Sequence, residues 1–308
     1  MESSGELALK LVGAIGPGSV EGHWPRPDEL ITRPGWPGVM KRFKYRLRLL
    51  LSQPQRRGFM DFVQGAPVWR ELHQRFPDCY YPTLTYFLDR RFSLRERFTV
   101  ARADLEQAES RFGRRLALRL ARGEQVKLWS LSEDCLLVLS INDVSWHEGR
   151  WTLSLRNTRG QRLYYVSFGF LPCGALLVGS VQGAPGMEEV VRDITKTAEG
   201  MRPAWLLFEA LRAAAATWGV TALVGIDPLD HIKGRWNLRG RRLRFDYRRF
   251  WSEVGAEQRE DGYWQTSLKP LPRDLSDVPS RKRAMYRRRW AMLDAMADAL
   301  HAGLFAAR

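Results

Sequence analysis

The chain has 308 residues, 44% of them hydrophobic, so it is globular and long enough to bury a full core as one large domain or two unequal ones. Its formal net charge of +15 suits RNA, DNA, an anionic membrane surface or an acidic carrier protein as a partner, although a coding bias towards arginine gives the same charge. No run approaches the roughly 18 apolar residues of a membrane span and no secretory signal is visible, so we expect a cytoplasmic protein without a membrane span.

Residues 1–37 are rich in glycine and proline, which predicts an irregular arm that Trp24 and Trp36 pin to the body. Residues 38–122 follow as a mostly helical region, which opens with the run MKRFKYRLRLLL. This run predicts one of two helices. One is a basic amphipathic helix in contact with an anionic membrane or a nucleic acid. The other is a surface helix whose arginine and lysine stems lie along the edge of the core.

Helix signals continue through the rest of this region. A second helix is expected from about Gly58 to Phe76, and two more on either side of Phe92. Ser93 and Glu96 have the spacing of a capping box, in which each side chain bonds the backbone N–H of the other at a helix start.

The pattern changes at Val126 to short runs of β-branched, aromatic and leucine residues, which predicts three or four antiparallel strands. Hairpin turns are expected at Glu148–Gly149 and at Arg159–Gly160, where glycine follows a polar residue between two such runs.

A strand–helix–strand unit follows these strands. Apolar runs predict strands at 175–182 and 220–226, and residues at helical spacing predict a long helix at 203–218 that Gly219 ends. A further helix is expected between the first strand and the long helix, from Met187 to Gly200.

The C-terminal part is strongly basic and ends in a helix expected from about Ser280 to Leu300. We therefore predict an α+β fold, with a helical N-terminal region followed by a mixed, mostly antiparallel sheet. Residues 123–308 are expected to form one α/β domain that includes the strand–helix–strand unit and the basic C-terminal helix.

Common catalytic and metal motifs are absent. The sequence has no phosphate-binding loop, no GxSxG and no HExxH, and its five histidines do not pair at ligand spacing. Cys79, Cys135 and Cys173 form no CxxC pair, which argues against a disulfide framework and against a structural zinc site. We therefore expect no metal centre.

Polar residues cluster after the last strand of the unit. Asp227, Asp230 and His231 follow the strand end, and Asp246 and Tyr247 come shortly afterwards. A carboxylate beside an imidazole orients a general base, and a tyrosine hydroxyl donates a proton to a leaving group. The alternative is structural: the carboxylates make turn and cap hydrogen bonds or pair with arginine, and the tyrosine is a core aromatic.

A second cluster lies at the end of the first strand of the unit. Gln182 and Gly183 end this strand, Lys196 and Arg202 lie downstream, and a helix begins at Pro203. Glycine lets the backbone approach a phosphate or a pantetheine amide, and a helix start offers N–H groups to an anion. An ordinary glycine–proline turn explains the same residues.

The third cluster is rich in arginine interleaved with aromatic residues, as in GRWNLRGRRLRFDYRRFW and SRKRAMYRRRW. This composition suits phosphate contact combined with base stacking, although the charge is equally consistent with a solvated surface. The candidate nucleic-acid contacts are Arg239, Arg241, Arg242, Arg248, Arg281, Lys282 and Arg288.

Several of these segments resemble the VirK/YbjX family of bacterial proteins. The resemblance rests on RPAWLLFEALRAAAATWGVTALVGID, DYRRFW, SRKRAMYRRRW and YPTLTYFLDRRFSLRERF, and it covers roughly residues 40–295. It implies a link to virulence-factor expression and to resistance against envelope stress in enteric bacteria, and it implies no particular chemistry.

The order of strands and helix also resembles the second half of GNAT-type acyltransferases. That resemblance implies that the two strands splay apart, with the acyl or pantetheine arm of a donor in the gap. GNAT proteins place a short glycine-rich turn between strand and helix, whereas Met187–Gly200 intervenes in this chain. A carrier protein or an aminoacyl-tRNA therefore suits the basic surface better as donor than acyl-CoA.

The leading hypothesis is a GNAT-like acyl- or aminoacyltransferase that acylates an amine or a hydroxyl group. The donor (aminoacyl-tRNA, acyl-carrier protein or acyl-CoA) is a co-substrate, and no cofactor is tightly bound. The first cluster would supply the base and Tyr247 the proton for the leaving group, with backbone donors near Gln182–Gly183 for the oxyanion. The alternatives are a non-catalytic protein that binds nucleic acid or an envelope surface, with peripheral membrane contact, and a partner-binding protein that acts through its helical half.

Overall fold

A helical region precedes an eight-stranded sheet, as the sequence predicts for an α+β fold. The computed structural model describes residues 24–234, 245–269, 273–276 and 278–307. The helices of the first region are α1 (Pro27–Leu30), α2 (Gly35–Leu51), α3 (Gln53–Gly65), α4 (Pro67–Arg75), α5 (Tyr81–Leu84), α6 (Leu94–Phe112) and α7 (Arg114–Ala121), with a 3-10 turn at Pro77–Tyr80.

Proline and capping residues set the helix boundaries in this region. Pro67 occupies the first turn of α4, where its missing N–H costs no hydrogen bond, so the helix expected from Gly58 to Phe76 is two helices. The capping box of α6 is confirmed, because Ser93 Oγ accepts from the Glu96 N–H at 3.3 Å and Glu96 Oε2 accepts from the Ser93 N–H at 2.7 Å. The prediction of a helix that runs up to Phe92 is wrong, because the segment is helical only over the short α5 (Tyr81–Leu84).

The sheet is mixed and mostly antiparallel. Its spatial order is β1-β2-β3-β4-β5-β6-β8-β7, and every neighbouring pair is antiparallel except β5 and β6. The strands are β1 (Val126–Ser132), β2 (Cys135–Ile141), β3 (Trp151–Arg156), β4 (Arg162–Phe170), β5 (Leu176–Gly183), β6 (Leu223–Gly225), β7 (Glu257–Gln258) and β8 (Trp264–Thr266). The hairpin turn at Arg159–Gly160 is confirmed between β3 and β4.

Four further helices accompany the sheet: α8 (Glu188–Thr197), α9 (Pro203–Thr217), α10 (Tyr247–Glu253) and α11 (Ser280–Ala306). The helix expected between the strand and the long helix is therefore confirmed as α8. The long helix α9 buries most of its side chains, because it lies against β3, β4 and β5 on one side and α11 on the other.

The helical region and the sheet share one hydrophobic core. Phe112 of α6 packs against Trp151 of β3 and against Trp218 just after α9, with ring centroids 5.2 and 5.0 Å apart. Asp104 of α6 also ties the two parts together. Its Oδ1 accepts hydrogen bonds from Trp151 Nε1 at 3.0 Å and from the Phe170 N–H at 2.8 Å, and its Oδ2 contacts Arg150.

The two tryptophans of the N-terminal arm have different fates. Trp24 anchors the chain as expected, because its Nε1 donates to the Tyr45 hydroxyl at 3.0 Å and its ring lies 4.5 Å from that of Tyr80. Trp36 does not, because it projects from α2 into solvent with 73% of its surface exposed.

Candidate functional site

Strands β5 and β6 separate after a short stretch of pairing, and the candidate site lies where they separate. Three residues of each strand pair in parallel, and β6 then ends at Gly225 while β5 continues to Gly183. On the β4 side, Ser167 pairs with Ser180 and Phe168 with Val178, so Gly179 is the extra residue of a β-bulge. A bulge bends its strand and increases the local twist, so β5 changes direction at the level where β6 ends.

Tyr247 of α10 lies in the gap between β5 and β6. Its hydroxyl oxygen accepts a hydrogen bond from the Val181 N–H of β5 at 3.2 Å, and its ring centroid is 5.5 Å from that of His231. Burial, followed by the negative charge of Glu148, raises the pKa of the Tyr247 hydroxyl, which is therefore protonated at neutral pH. Two residues predicted to be catalytic, Tyr247 and His231, are thus neighbours.

A buried carboxylate, Glu148, lies at the centre of the site. Gln182 Nε2 lies 3.1 Å from each of its carboxylate oxygens, and the Tyr165 hydroxyl lies 3.4 Å from Oε2. Lys233 Nζ contacts Oε1 and supplies the opposite charge that a buried carboxylate needs. His231 completes the group with its Nε2 at 3.9 Å from Oε1. These five residues are the Glu148 cluster.

The protonation state of His231 follows from its contacts. Nδ1 accepts a hydrogen bond from the Lys233 backbone N–H at 3.1 Å, so the proton of the neutral ring is on Nε2, which faces Glu148. Burial lowers the pKa of His231 to about 4, and the positive charge of Lys233 lowers it further against the opposing effect of Glu148. Nε2 is buried and makes no well-aligned hydrogen bond to the described residues, although the backbone of Gly179 lies close enough to the ring to raise its pKa slightly.

The other acidic residues predicted to be catalytic fix the loop and helix on which His231 and Tyr247 lie. Asp227 Oδ1 accepts from the Leu229 N–H at 2.9 Å, and its Oδ2 accepts from Trp264 Nε1 at 3.2 Å. Asp230 Oδ2 pairs with Arg91 Nη1 at 3.3 Å. Asp246 caps α10, because its Oδ1 accepts from the Arg249 N–H at 3.2 Å.

The residues predicted to bind the donor lie in different surroundings. Gln182 belongs to the Glu148 cluster, and Gly183 follows it against the ring of Tyr164. Lys196 is exposed on α8, and Arg202 forms an ion pair with Glu253 of α10.

The arginine-rich candidates are only partly within the described structure, because Arg239, Arg241 and Arg242 lie outside it. Arg248 Nε lies 3.5 Å from Asp227 Oδ2. Arg281 and Lys282 are exposed in the first turn of α11. Arg288 donates two hydrogen bonds to the Glu199 carboxylate, at 2.9 and 2.8 Å.

Sequence reasoning missed Glu148, Lys233 and Tyr165. Glu148–Gly149 lie in the connection between the antiparallel strands β2 and β3, as expected, but the connection is longer than a tight turn. Trp146–Glu148 form a 3-10 turn in it, and the Glu148 main chain packs closely against β5. One signal was available in the sequence: polar residues alternate in otherwise apolar strands. Tyr165 and Ser167 of β4, and Ser180 and Gln182 of β5, are such residues, and alternation puts each pair on one face of the sheet.

The described residues contain neither the arrangement of a metal site nor a membrane-spanning helix. No group of three or more histidine, cysteine or acidic residues in the described ranges has the arrangement of a metal site. No helix in the same ranges is long and apolar enough to cross a membrane.

The chain is therefore an α+β protein whose mixed sheet carries a buried carboxylate cluster beside the parallel pair of β5 and β6. The chain belongs to the family described as a protein of unknown function (DUF535), which matches residues 34–302. The chain also belongs to the VirK/YbjX family, because its relatives include YbjX and LapB.

Three relatives illustrate the match. An uncharacterized protein of Haemophilus influenzae is 36% identical over 271 residues, which cover 86% of this chain and 91% of that protein. The membrane protein LapB of Mannheimia haemolytica is 34% identical over 66% of this chain and 90% of its own length. The uncharacterized protein YbjX of Escherichia coli is 28% identical over 48% of this chain and 47% of its own. No solved structure matches.

Proposed function

We propose that the protein is a GNAT-like acyl- or aminoacyltransferase whose reaction centre is the Glu148 cluster. One observation carries the proposal: a buried imidazole N–H without a well-aligned acceptor among the described residues and a buried carboxylate lie together beside the gap between β5 and β6. A buried donor without a partner costs free energy, and a substrate oxygen bound to it would recover that loss.

The donor would bind along the edge of β5. Beyond Val178, the edge of β5 that pairs with β6 has no strand beside it in the described part of the chain. An extended acyl or pantetheine arm can form hydrogen bonds with such an edge, as an added strand does. The Val181 N–H, which now bonds to the Tyr247 hydroxyl, is one donor on this edge. The arm would therefore run past Tyr247 towards Gln182.

The acceptor would be an amine. Lys233 has 40% of its side chain exposed, yet its Nζ contacts the fully buried Glu148 carboxylate. An ammonium group from solvent can therefore occupy the same place when the Lys233 side chain turns outwards. Glu148 would then take a proton from the bound acceptor and leave a neutral, nucleophilic amine.

The remaining steps follow from the same residues. The amine nitrogen attacks the acyl carbonyl carbon, and the charge that develops on the carbonyl oxygen is stabilised by the His231 Nε2–H, with backbone donors near Gln182 and Gly183. The bond from the carbonyl carbon to the thioester sulfur or ribose oxygen of the donor breaks, and Tyr247 gives its hydroxyl proton to that leaving group. The second proton of the attacking nitrogen passes to the Tyr247 oxygen, which leaves a neutral amide and restores the hydroxyl.

A large anionic donor fits better than acyl-CoA. Helix α8 separates β5 from α9, so the glycine-rich phosphate turn of a GNAT protein is replaced by a full helix. The net charge of +15 favours a polyanionic donor such as aminoacyl-tRNA, or an acidic acyl-carrier protein. This reaction would take place in the cytoplasm, and the donor is a co-substrate and not a bound cofactor.

The test uses the purified full chain with labelled aminoacyl-tRNA, acyl-carrier protein and acyl-CoA, and measures transfer to amines and donor hydrolysis. Glu148→Gln keeps the shape of the side chain and removes the base, so kcat/KM should fall by about 10²–10⁴-fold. The control is Glu106→Gln, which changes an exposed glutamate paired with Arg102 and should leave the rate unchanged. Absence of transfer and hydrolysis with all three donors, or full activity of Glu148→Gln, would contradict the proposal.

The exposed Arg281 and Lys282 of α11 favour a second candidate, a non-catalytic nucleic-acid-binding protein. In that case, affinity for RNA falls steeply with salt and depends on these two side chains. The double variant Arg281→Glu/Lys282→Glu would lose binding, whereas Glu148→Gln would not. Binding of this kind without any transfer activity would favour the second candidate.

A further inference from the structure

Helix α2 carries a stripe of exposed apolar side chains. Trp36 and Leu50 each have 73% of their surface exposed and Phe43 has 60%, and Val39 and Leu47 are exposed too. Their spacing of three, four and seven residues puts all five on one face of the helix. These residues are the α2 stripe.

The other face of α2 is fixed to the protein body, so the α2 stripe points away from it. Tyr45 is fully buried, and its hydroxyl donates to the Pro25 carbonyl oxygen at 2.8 Å. Gly38 lies so close to the preceding chain that a Cβ there would be 1.8 Å from the Arg33 carbonyl oxygen. The helix cannot rotate to bury the stripe without breaking both contacts.

Basic residues border the α2 stripe. Helix α2 contains five lysine and arginine residues and no acidic residue. By helical periodicity of about 100° per residue, Arg46 lies beside one edge of the stripe and Lys44 beside the other, and both are exposed. The helix therefore presents an apolar strip with an exposed positive charge along each edge.

We propose that α2 docks on an anionic phospholipid surface and lies in the plane of the interface with the α2 stripe inserted. Apolar side chains gain free energy from the acyl boundary while neighbouring cations bind the headgroups, which is how interfacial helices attach to membranes. The helix has 17 residues, and no helix in the described ranges can span a bilayer, so α2 lies on the surface.

Other occupants fit this face less well. A nucleic acid could stack on Trp36 and Phe43, but the aliphatic Val39, Leu47 and Leu50 gain nothing from phosphates. A second copy of the chain would bring the like charges that border the α2 stripe against each other across a twofold axis, which costs free energy.

The first experiment measures co-sedimentation of the full chain with phosphatidylglycerol–phosphatidylcholine vesicles and with pure phosphatidylcholine vesicles. The wild type should bind the anionic vesicles. The triple variant Trp36→Ser/Phe43→Ser/Leu50→Ser should lower the partition coefficient by about 10-fold or more, since three apolar side chains no longer leave water. Val144→Ser, in the exposed connection between β2 and β3, is the matched control and should change nothing.

A second pair of variants tests the charge. Lys44→Glu/Arg46→Glu should weaken binding to anionic vesicles by about 10-fold or more, because each basic residue contributes about 1 kcal/mol near such a surface. Arg114→Glu/Arg115→Glu makes the same change of net charge at exposed positions of α7 and should have a smaller effect.

Three outcomes would overturn the proposal. Failure of the wild type to bind anionic vesicles at low salt would refute docking through the α2 stripe. Equal loss of binding in the Arg114/Arg115 and Lys44/Arg46 variants would show that net charge alone acts. Dissociation of a wild-type dimer by the triple variant, measured by light scattering, would assign the α2 stripe to a second copy of the chain.

Discussion

At the scale of single residues, Gly179 is the position on which the geometry of the Glu148 cluster depends most. A Cβ at this bulge would lie 2.1 Å from the Glu148 carbonyl oxygen, an atom that cannot move without shifting the segment that carries the carboxylate. Gly179→Ala should therefore lower the free energy of unfolding by about 2 kcal/mol or more, measured by urea denaturation.

Gly58 provides the matched control for this substitution. It lies in α3, where an added Cβ would meet no atom within 4 Å. Gly58→Ala should raise the free energy of unfolding by up to about 1 kcal/mol, because alanine is the better helix residue. Equal effects of the two substitutions would contradict the close approach of Glu148 to β5.

Local sequence pointed to some residues of the candidate site and not to others. Local pattern singled out His231, which lies in a polar segment just after a strand, and Tyr247, which comes later in the chain, and the fold brings their rings together. Their catalytic role stays a prediction. Glu148 precedes a glycine and has the appearance of a turn residue. Only the long-range packing of its segment onto β5 buries it, and local sequence carries no information on that contact.

At the scale of elements, the start of α6 combines two hydrogen bonds between Ser93 and Glu96. Ser93→Ala removes the acceptor for the Glu96 N–H and should lower the free energy of unfolding by about 1 kcal/mol. The control is Thr99→Ala on the exposed face of the same helix, where the hydroxyl donates to the Arg95 carbonyl oxygen. That substitution should be neutral or stabilising, because alanine favours the helix interior.

Elements with a local cause were predictable, and those with a distant cause were not. The sequence signals for α6, for α9 and for the turn at Arg159–Gly160 are capping, periodicity and glycine, which act within a few residues. The segment before Phe92 has helix-forming residues but is held in a non-helical conformation, with a φ of 59° at Leu88, by tertiary contacts such as the bond from the Leu88 N–H to the His147 carbonyl oxygen at 2.8 Å. Tertiary contacts override weak local propensity there.

At the scale of the whole molecule, the buried His73 and His231 and the half-buried His147 make the folded state sensitive to acid. Burial lowers the pKa of His73 to about 3 and those of His147 and His231 to about 4. The same groups in the unfolded chain titrate near 6.5. Between roughly pH 4 and pH 6.5 the unfolded chain therefore binds more protons than the folded one, and the free energy of unfolding falls as the pH falls.

His231→Gln isolates the contribution of one of these groups. Well below pH 6.5, a single buried neutral histidine contributes a slope of about 1.4 kcal/mol per pH unit, so the variant should lose that much slope between pH 6 and pH 5. Urea denaturation across this range measures it, with the exposed His301→Gln as the control. Burial raises the pKa of Asp104, so the contribution of this group to the free energy of unfolding changes with pH in the direction opposite to that of the histidines. The test therefore compares the slope of the variant with that of the wild type. If the free energy of unfolding of His231→Gln has the same dependence on pH as that of the wild type, His231 is already protonated in the folded protein. The neutral ring that donates from Nε2 in the proposed reaction would then not exist.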